Sequence, residues 1–391
     1  MPKQNFGPFG MCSRSKGPVP IYEVSDMKYT NANRIAALAL GLILLLAGCG
    51  SRGNVSSSAP DASDPVGQVE EDPLGAVSIT PDSQVQQLEP GLSAVSYTGD
   101  YGLDDFLEQG GAASDAAVVQ FLAEHLGAGG ISLQSGSFGC STLSVPGPDG
   151  HSLFGRNFDW NACDALVVQS APEHGYASIS TVNLDFLGGY AGQLPEEALT
   201  LAALYAPLDG MNDQGLCVAV LMIQDADTIE QDTGKTDLTT TTAVRLLLDQ
   251  AANVEEALEL LEQYDLHASM GMMVHFAIAD AMGNSVVVEY VDNEMVVTET
   301  PVVTNFYLAE GDKQGIGTQQ SHTRFEILTE ALEQQPQMTL EQLRDAMDSV
   351  SKDNFGEFES TEWTILYDQT AGEAVYFHRE NYASGYRFIL D

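Results

Sequence analysis

Basic residues are scarce in this sequence. Its 391 residues include 15 Lys and Arg against 56 Asp and Glu, a formal net charge of −41 at pH 7. A surface this acidic repels phosphate backbones, which argues against nucleic acid as a partner. The five cysteines are irregularly spaced and contain no CxxC pair, so the sequence disfavours a disulfide framework and a zinc or redox centre. Because it also has no phosphate-binding loop or nucleotide fingerprint, we expect no metal and no cofactor.

The N-terminal apolar run is too short to span a bilayer. Ile35–Ala47 falls below the roughly 20 residues that a transmembrane helix needs. It follows a short basic stretch that begins at Met27, and it ends in Leu-Ala-Gly-Cys49, which resembles the lipobox of bacterial lipoproteins. We therefore predict a true start at Met27, a signal region over 1–48, and diacylation of Cys49, which anchors the protein outside the cytoplasmic membrane. A signal peptide with an incidental cysteine is the alternative.

Two further segments precede the first motif with chemical interest. Residues 49–75 are rich in Ser, Gly, Pro and Asp, which predicts a disordered tether that carries the lipidated cysteine. Residues 76–139 are interpreted as a prosegment. Within it, Ser114–Leu126 has a serine cap and apolar residues on one face, which predicts a short helix.

Residues 140–391 show strands, then helices, then strands again. Hairpins are predicted for STLSV with HSLFGRNF, and for LTLAALYAPL with GLCVAVLMIQ. Helical periodicity covers Leu238–Tyr264, as two helices that meet at Asn253, and also Ser321–Gln334 and Thr339–Val350. Three strands are predicted between the two helical regions and two more at the C-terminus. Because regular βαβ alternation is missing, the sequence predicts a layered α+β domain.

A cysteine, an arginine and an aspartate stand close together at the start of this domain. Cys140 is followed by Arg156 and Asp159 in the stretch FGRNFDW. A cysteine that becomes the first residue of a chain holds nucleophile and base together, since the α-amine has a pKa near 7.7–8.0 and the thiol near 8.5. A neighbouring arginine strengthens the nucleophile, and an aspartate can accept a hydrogen bond from the freed amine. An ordinary ion pair at a strand end is the alternative for Arg156 and Asp159.

The motifs together resemble a known family. The stretches CST with FGRNFDW, GMNDQGL, HFAIADAMGNSVVVEY, VVTNF, HTRF and TEWTILYD occur in this order. The chain thereby resembles the choloylglycine hydrolase, or linear amide C-N hydrolase, family of N-terminal-nucleophile enzymes, which includes bile salt hydrolases, penicillin V acylases and acid ceramidase. The resemblance implies a four-layer αββα sandwich over 140–391, preceded here by the lipoprotein signal, the tether and a helical prosegment.

The resemblance also implies roles for individual residues. Cys140 corresponds to the nucleophile, with Arg156 and Asp159 as its partners. Asn305 corresponds to an asparagine whose side-chain amide helps to form the oxyanion hole, and Arg324 to the second arginine of the family.

Two further positions are less specific. Asn212 matches an asparagine common in the family, which either contributes to the oxyanion hole or shapes a turn. Met222 stands where bile salt hydrolases carry another asparagine, so a donor there has to be a backbone N–H.

A nucleophile this far along the chain has to be freed. We predict self-cleavage between Gly139 and Cys140, with glycine permitting a strained backbone at the attacked bond. The prosegment is then expected to stay bound without a covalent link, through the apolar face of Ser114–Leu126.

The predicted activity is hydrolysis of linear amides through a thioester on Cys140. The expected substrate is a small acyl amide with an apolar acyl group, and bile conjugates, penicillin V, and N-acyl amines or amino acids all remain open. One alternative is an amide-forming acyltransferase, which uses the same thioester. The other is a non-catalytic solute-binding lipoprotein, which requires none of the four residues Cys140, Arg156, Asp159 and Asn305.

Overall fold

The computed structural model describes residues 72–125, 127, 139–188, 194–353 and 359–390. The predicted signal region, Cys49, most of the tether and Leu126 therefore lie outside the described residues. Within the described ranges, no helix combines the length and the apolar character needed to cross a membrane.

Eighteen strands occur in the described residues, and most of them belong to two large sheets. In chain order they are β1 (Val77–Ser78), β2 (Gln86–Glu89), β3 (Leu92–Thr98), β4 (Gly139–Pro146), β5 (Ser152–Trp160), β6 (Ala165–Ala171), β7 (Ser178–Asn183), β8 (Asp209–Asn212), β9 (Cys217–Met222), β10 (Thr236–Thr239), β11 (Tyr264–His267), β12 (Val274–Ala279), β13 (Ser285–Val291), β14 (Glu294–Glu299), β15 (Val302–Val303), β16 (Ser360–Asp368), β17 (Glu373–His378) and β18 (Tyr386–Ile389).

Seven α-helices accompany these strands in the same described ranges. They are α1 (Leu103–Glu108), α2 (Asp115–His125), α3 (Glu196–Leu204), α4 (Thr240–Gln250), α5 (Val254–Leu261), α6 (Gln319–Gln334) and α7 (Leu340–Asp348).

The two large sheets face each other, and helices cover both of them. The seven-stranded sheet has the order β1-β18-β17-β16-β5-β4-β15, and the nine-stranded sheet the order β14-β13-β12-β9-β8-β7-β6-β3-β2. The sheets meet where β4 contacts β9. Helices α6 and α7 lie against the first sheet, and α4 lies against β8 and β9 of the second. The predicted α+β class is confirmed. All of β5 and most of β4 are buried, with Ser144 half-buried and Pro146 exposed.

Most of the predicted elements are found. The first hairpin is β4 with β5, paired antiparallel from Gly139 opposite Asp159 to Pro146 opposite Ser152. The two helices predicted to meet at Asn253 are α4 and α5, and the Asn253 side chain caps α5 by accepting from the N–H of Glu256.

One arm of the second predicted hairpin is wrong. LTLAALYAPL was expected to be a strand, but its first residues belong to α3, and the strand that pairs with β9 is the short β8. The run is rich in Leu and Ala, which favour helix, and two glutamates stand in the first turn after Pro195. A continuous apolar run does not by itself distinguish a buried strand from a buried helix.

The segment before Cys140 contains more than the predicted helix. The helix α2 is present, and Val118, Phe121 and Leu122 are buried on its apolar face as expected. However, β1 also adds to one edge of the seven-stranded sheet by pairing with β18, and β3 pairs with β6 in the nine-stranded sheet. The description of this segment as helical is therefore incomplete, because it contributes strands to both sheets.

Candidate active site

Cys140 is the second residue of β4, between β5 and β15 in the seven-stranded sheet. It has no solvent-exposed surface. Its backbone nitrogen, still part of the peptide bond with Gly139, donates to Asn305 Oδ1 over 2.7 Å. Its sulfur accepts from Arg156 Nη2 over 3.6 Å. Sulfur and main-chain nitrogen thus each face a different predicted partner.

Arg156 lies on β5, fully buried, and its guanidinium is held on several sides. Nη2 donates to the carbonyl oxygen of Val220 over 3.0 Å, in addition to the cysteine sulfur. Nη1 forms an ion pair with Asp209, and neither side chain is exposed. The guanidinium carbon lies 5.2 Å from the ring centre of Phe158 and 5.7 Å from that of Trp363, which is cation–π range. These contacts fix the arginine against the sulfur.

Asp209 is a functional candidate that the sequence analysis missed. Besides Arg156, it accepts from Trp363 Nε1 over 3.1 Å and from the Tyr367 hydroxyl over 3.2 Å. It stands immediately before the motif GMNDQGL. An acidic residue in an otherwise apolar stretch signals a buried charge, and a buried charge needs a partner.

The surroundings of Cys140 disfavour its thiolate form in the uncut chain. Burial raises the pKa of the thiol to about 11, and the negative charge of Asp159 adds to that effect. The positive charges of Arg156, Arg324 and Lys352 act in the opposite direction. Burial likewise lowers the pKa of the Arg156 guanidinium. The cationic surroundings therefore offset only part of the cost of burying a thiolate.

Asp159 lies opposite Gly139 in the strand pair, close to the bond predicted to be cut. Its Oδ1 accepts from the Thr361 hydroxyl over 2.8 Å. Its Oδ2 is buried and accepts no hydrogen bond of good geometry, although Lys352 Nζ lies 3.2 Å away and Arg324 Nη1 3.7 Å away. One carboxylate oxygen thus remains ready to accept a further donor.

The strained backbone that we expected at Gly139 is not what the structure shows. Its φ is not positive, and it pairs regularly with Asp159. Space at this position is limited instead by the ends of charged side chains. A Cβ at this position would lie 2.6 Å from Lys352 Nζ, 2.8 Å from Asp159 Oδ2 and 2.9 Å from Glu359 Oε1. Charged side chains thus lie directly against the residue before the predicted cut.

Asn305, in the segment that follows β15, and Arg324, on α6, join the same cluster. Asn305 Nδ2 donates to the carbonyl oxygen of Met222 over 2.7 Å, and Asn305 Oδ1 accepts from Arg324 Nη2 over 2.7 Å. Arg324 Nη1 donates to the carbonyl oxygen of Cys140, and to Ser141 Oγ over 2.6 Å. The structure therefore brings together all five predicted catalytic residues.

A buried pair behind Asn305 was also missed from the sequence. His275 Nε2 donates to the carbonyl oxygen of Thr304 over 2.7 Å, and His275 Nδ1 lies 3.0 Å from Glu289 Oε1. Glu289 also accepts from the backbone N–H groups of Leu308 and Ala309. Both polar residues interrupt apolar strands, β12 and β13, which was the available signal. The pair holds the chain on both sides of Asn305.

The two less specific predictions have different outcomes. Asn212 shapes a turn, because its Nδ2 donates to the carbonyl oxygens of Leu248 and Ala251 and its Oδ1 accepts from the N–H of Leu216. With both amide hydrogens used, it has none for an oxyanion. Met222 does lie next to Asn305, but the contact is made by its backbone carbonyl oxygen, which accepts a hydrogen bond from Asn305 Nδ2. An oxyanion donor from its backbone N–H remains a prediction.

Other parts of the described chain offer no competing centre of this kind. A cleft of about 890 Å³ lies between α5 and the strands β13 and β14, away from Cys140. No group of three or more His, Cys, Asp or Glu side chains is arranged to hold a metal ion among the residues that the structure describes. The free thiols of Cys163 and Cys217 are buried, and burial raises the pKa of each.

Comparison with known proteins matches the region that begins at the candidate nucleophile. Residues 140–306 match the model of the linear amide C-N hydrolases, choloylglycine hydrolase family. Similar solved structures include a mutant conjugated bile acid hydrolase from Clostridium perfringens, with 19% identity over 62% of this chain and 90% of that chain and a TM-score of 0.47. They also include penicillin V acylase from Agrobacterium tumefaciens, with 19% identity over 61% of this chain and 83% of that chain and a TM-score of 0.47.

The family match bears on the general reaction as well as on the resemblance. The matched region starts at Cys140 and reaches one residue beyond Asn305. It supports amide hydrolysis as the general chemistry of the chain. Over residues 140–306 the chain is similar to the linear amide C-N hydrolases of the choloylglycine hydrolase family, as its motifs predict.

Proposed function

We propose that this protein hydrolyses the C–N bond of linear amides through a thioester on Cys140. The observation that carries the proposal is the pair of contacts around one residue. The sulfur of Cys140 faces Arg156, while its main-chain nitrogen faces Asn305 Oδ1. Freeing that nitrogen would place a base beside the nucleophile, in the region that matches an amide hydrolase family.

Self-cleavage is the first step of the proposed function. With Gly139 still attached, the thiol is fully buried, so no external substrate can reach it. Attack by Cys140 Sγ on the Gly139 carbonyl forms a C–S bond and breaks the C–N bond, and the thiol proton ends on the departing nitrogen. Water then splits this internal thioester into the Gly139 carboxylate and the free Cys140 thiol. The product is a new N-terminal cysteine.

Turnover then uses the groups already in place. The freed amine takes the thiol proton, and Asp159 Oδ2, which lacks a well-aligned donor, accepts a hydrogen bond from the resulting ammonium. Arg156 stabilises the thiolate, which attacks the substrate carbonyl. The second hydrogen of Asn305 Nδ2 remains for the oxyanion, since the first is donated to Met222. The α-ammonium of Cys140 passes its proton to the nitrogen of the departing amine as the C–N bond breaks, and water then splits the thioester into the acid and the free Cys140 thiol.

The proposed substrates are small amides with an apolar acyl group. A net charge of −41 disfavours strongly anionic substrates at long range. Arg324, 5% exposed, is a cation close enough to Cys140 to offset this locally. A panel that contains a glycine-conjugated bile acid, penicillin V, a fatty acyl ethanolamide and a fatty acyl amino acid separates the candidates. Product analysis with an added amine acceptor distinguishes hydrolysis from acyl transfer.

Substitution of the nucleophile tests the proposal directly. Cys140→Ala is expected to remain uncut and inactive on the whole panel, and Cys140→Ser to be cut slowly or not at all. Cys217→Ala is the matched control, because that thiol is equally buried on the neighbouring sheet and has no assigned role. Turnover by the Cys140→Ala protein, or an intact Gly139–Cys140 bond in an active preparation, would contradict the mechanism.

Retention of the segment before the cut is supported by its contacts with the rest of the chain. Phe106 and Phe121 form a ring cluster with Tyr205, with centre distances of 5.1 to 5.9 Å. Asp115 Oδ2 accepts from the N–H of Met270 over 2.6 Å. Together with β1 and β3, these contacts favour a two-chain enzyme held by noncovalent contacts. Native mass spectrometry should find both pieces together, and denaturant should separate them.

We also propose that the enzyme is lipid-anchored outside the cytoplasmic membrane through Cys49. The proposal rests on the Leu-Ala-Gly-Cys order of residues 46–49 after a short apolar run. Metabolic labelling with an alkyne fatty acid in a bacterial host should mark the N-terminal piece. Label in a Cys49→Ala variant, or label on the piece that begins at Cys140, would contradict the anchor.

A further inference from the structure

Lys352 is a buried cation that the mechanism above does not use. It follows α7, and it is 7% exposed. Its Nζ lies 3.2 Å from Asp159 Oδ2 and forms a second ion pair with Glu359. It also lies against the residue before the cut, since a Cβ on Gly139 would be only 2.6 Å from Nζ. An ammonium is thus placed beside both the attacked peptide and the carboxylate assigned to the freed amine.

The charges around the thiol differ before and after the cut. Before it, the nitrogen of Cys140 is a neutral amide, and Asp159 disfavours a thiolate nearby. After it, that nitrogen becomes an amine that can carry a positive charge next to Asp159. The uncut chain therefore lacks one cation of the mature site at the very step that needs a thiolate. Lys352 is positioned to supply it, although burial lowers the pKa of its own ammonium.

We propose that Lys352 is a positioning residue for self-cleavage, whose ammonium neutralises Asp159 until the freed α-amine of Cys140 takes over that task. The inference rests on the proposed function, because it assumes a cut between Gly139 and Cys140. Lys352 forms and breaks no bond in the step. The sulfur attacks the Gly139 carbonyl, the C–N bond breaks, and the thiol proton passes to the Cys140 nitrogen. Lys352 acts through Asp159 by favouring the negative charge that develops on the sulfur.

The test compares cleavage with turnover in the full chain. Freshly synthesised protein from a cell-free pulse is followed by gel to obtain the rate of cleavage. The amount of cleaved protein is then measured by intact-mass spectrometry. Its turnover is assayed with a fluorogenic aminocoumarin amide of a long-chain fatty acid. We expect Lys352→Met to slow cleavage at least tenfold and to lower turnover per cleaved molecule by less than threefold. Lys352→Arg, which keeps the charge, should recover most of the cleavage rate.

Two controls separate this role from a purely structural one. Lys235→Met makes the same change at an exposed lysine and should leave both rates as they are. Thermal melting is measured in a Cys140→Ala background, where every chain stays uncut. A Lys352→Met protein that melts normally but cleaves slowly supports the proposal, whereas one for which Lys352→Arg fails to restore cleavage contradicts it.

The outcomes also separate this inference from the proposed function. Equal cleavage rates for Lys352→Met and the parent chain would overturn the role of Lys352 and leave self-cleavage standing. Equal losses in cleavage and in turnover would show that Lys352 serves the mature site, which also overturns it. A parent chain that is active but uncut would overturn both proposals together.

Discussion

The buried pair between Arg156 and Asp209 allows a quantitative test of how the site is held. Both side chains have no exposed surface, and Asp209 also accepts hydrogen bonds from Trp363 and Tyr367. We consider Asp209→Asn in a Cys140→Ala background, so that every chain remains uncut. The substitution keeps the shape of the side chain and removes its charge. The guanidinium of Arg156 is then buried without a counter-ion.

The expected cost follows from the burial of the pair. Loss of one partner of a fully buried ion pair costs about 3–5 kcal/mol, because the other charge stays desolvated. Asparagine still accepts one of the two neutral hydrogen bonds, so we expect about 3 kcal/mol. For a chain of this size that corresponds to a fall of roughly 4 °C in the thermal midpoint. Arg156→Met should cost a similar amount, since it leaves the Asp209 carboxylate buried without its cation.

The double variant decides whether the pair itself is the cause. When both charges are removed, no uncompensated charge remains, and we expect at least half of the summed single losses to be recovered. Unfolding is followed by circular dichroism in urea and by calorimetry. Strictly additive losses would refute the reasoning, as would an Asp209→Asn protein with parental stability.

A second buried carboxylate provides the matched control. Asp249 lies 2.5 Å from Arg245 on α4 and is 2% exposed. Burial raises the pKa of its carboxyl well above the usual value, which means that this site disfavours the charged form. Asp249→Asn should therefore cost less than half as much as Asp209→Asn.

Further predictions concern the cut and the two pieces. Because burial raises the pKa of the Cys140 thiol to about 11, the thiolate fraction rises about tenfold per pH unit below that value. The rate of cleavage, followed by gel, should therefore rise from pH 6 to pH 9, and a rate that does not change with pH would contradict this. Gly139→Ala should slow cleavage at least tenfold, because its Cβ would meet Lys352 and Asp159 at under 3 Å. Asn305→Ala should lower kcat of matured enzyme about a hundredfold through loss of an oxyanion donor, with KM changed less. Phe121→Ala should weaken retention of the N-terminal piece, lowering the urea concentration at which the pieces separate; the ring is 7% exposed and its loss costs about 3 kcal/mol.

The five residues predicted to be catalytic do cluster in the structure, for reasons that differ between the hairpin and the rest of the chain. Cys140, Arg156 and Asp159 lie on one hairpin, so the short turn between β4 and β5 brings them together by local geometry. Asn305 and Arg324 come from more than 160 residues further along the chain. Their position beside Cys140 follows from the order of the strands in the sheet, which no local sequence pattern encodes. It could be predicted here only from the resemblance to a family.

The residues missed by the sequence analysis share a physical character. Asp209, Glu289 and Lys352 are charged, buried and paired with side chains on other elements of the fold. Periodicity identifies apolar faces and caps, but a lone charge in an apolar stretch indicates only that a partner exists. The strands before Cys140 were missed as well. β1 has only two residues and pairs with the distant β18, whereas β3 forms a short antiparallel hairpin with β2 that the sequence analysis did not predict.

The chain already contains, before any cut, the frame of the site that the proposed function needs. Asn305 is fixed by Met222 and Arg324, and Arg156 by Asp209 and Val220, through contacts that do not involve the peptide bond before Cys140. The proposed cleavage therefore needs to change only the charge on one nitrogen and the access to one sulfur. It need not separate the pieces, because β1 and β3 are hydrogen-bonded into both sheets whether or not the bond after Gly139 is intact. If the N-terminal piece carries the lipid on Cys49, this shared sheet structure is what would hold the catalytic piece at the membrane.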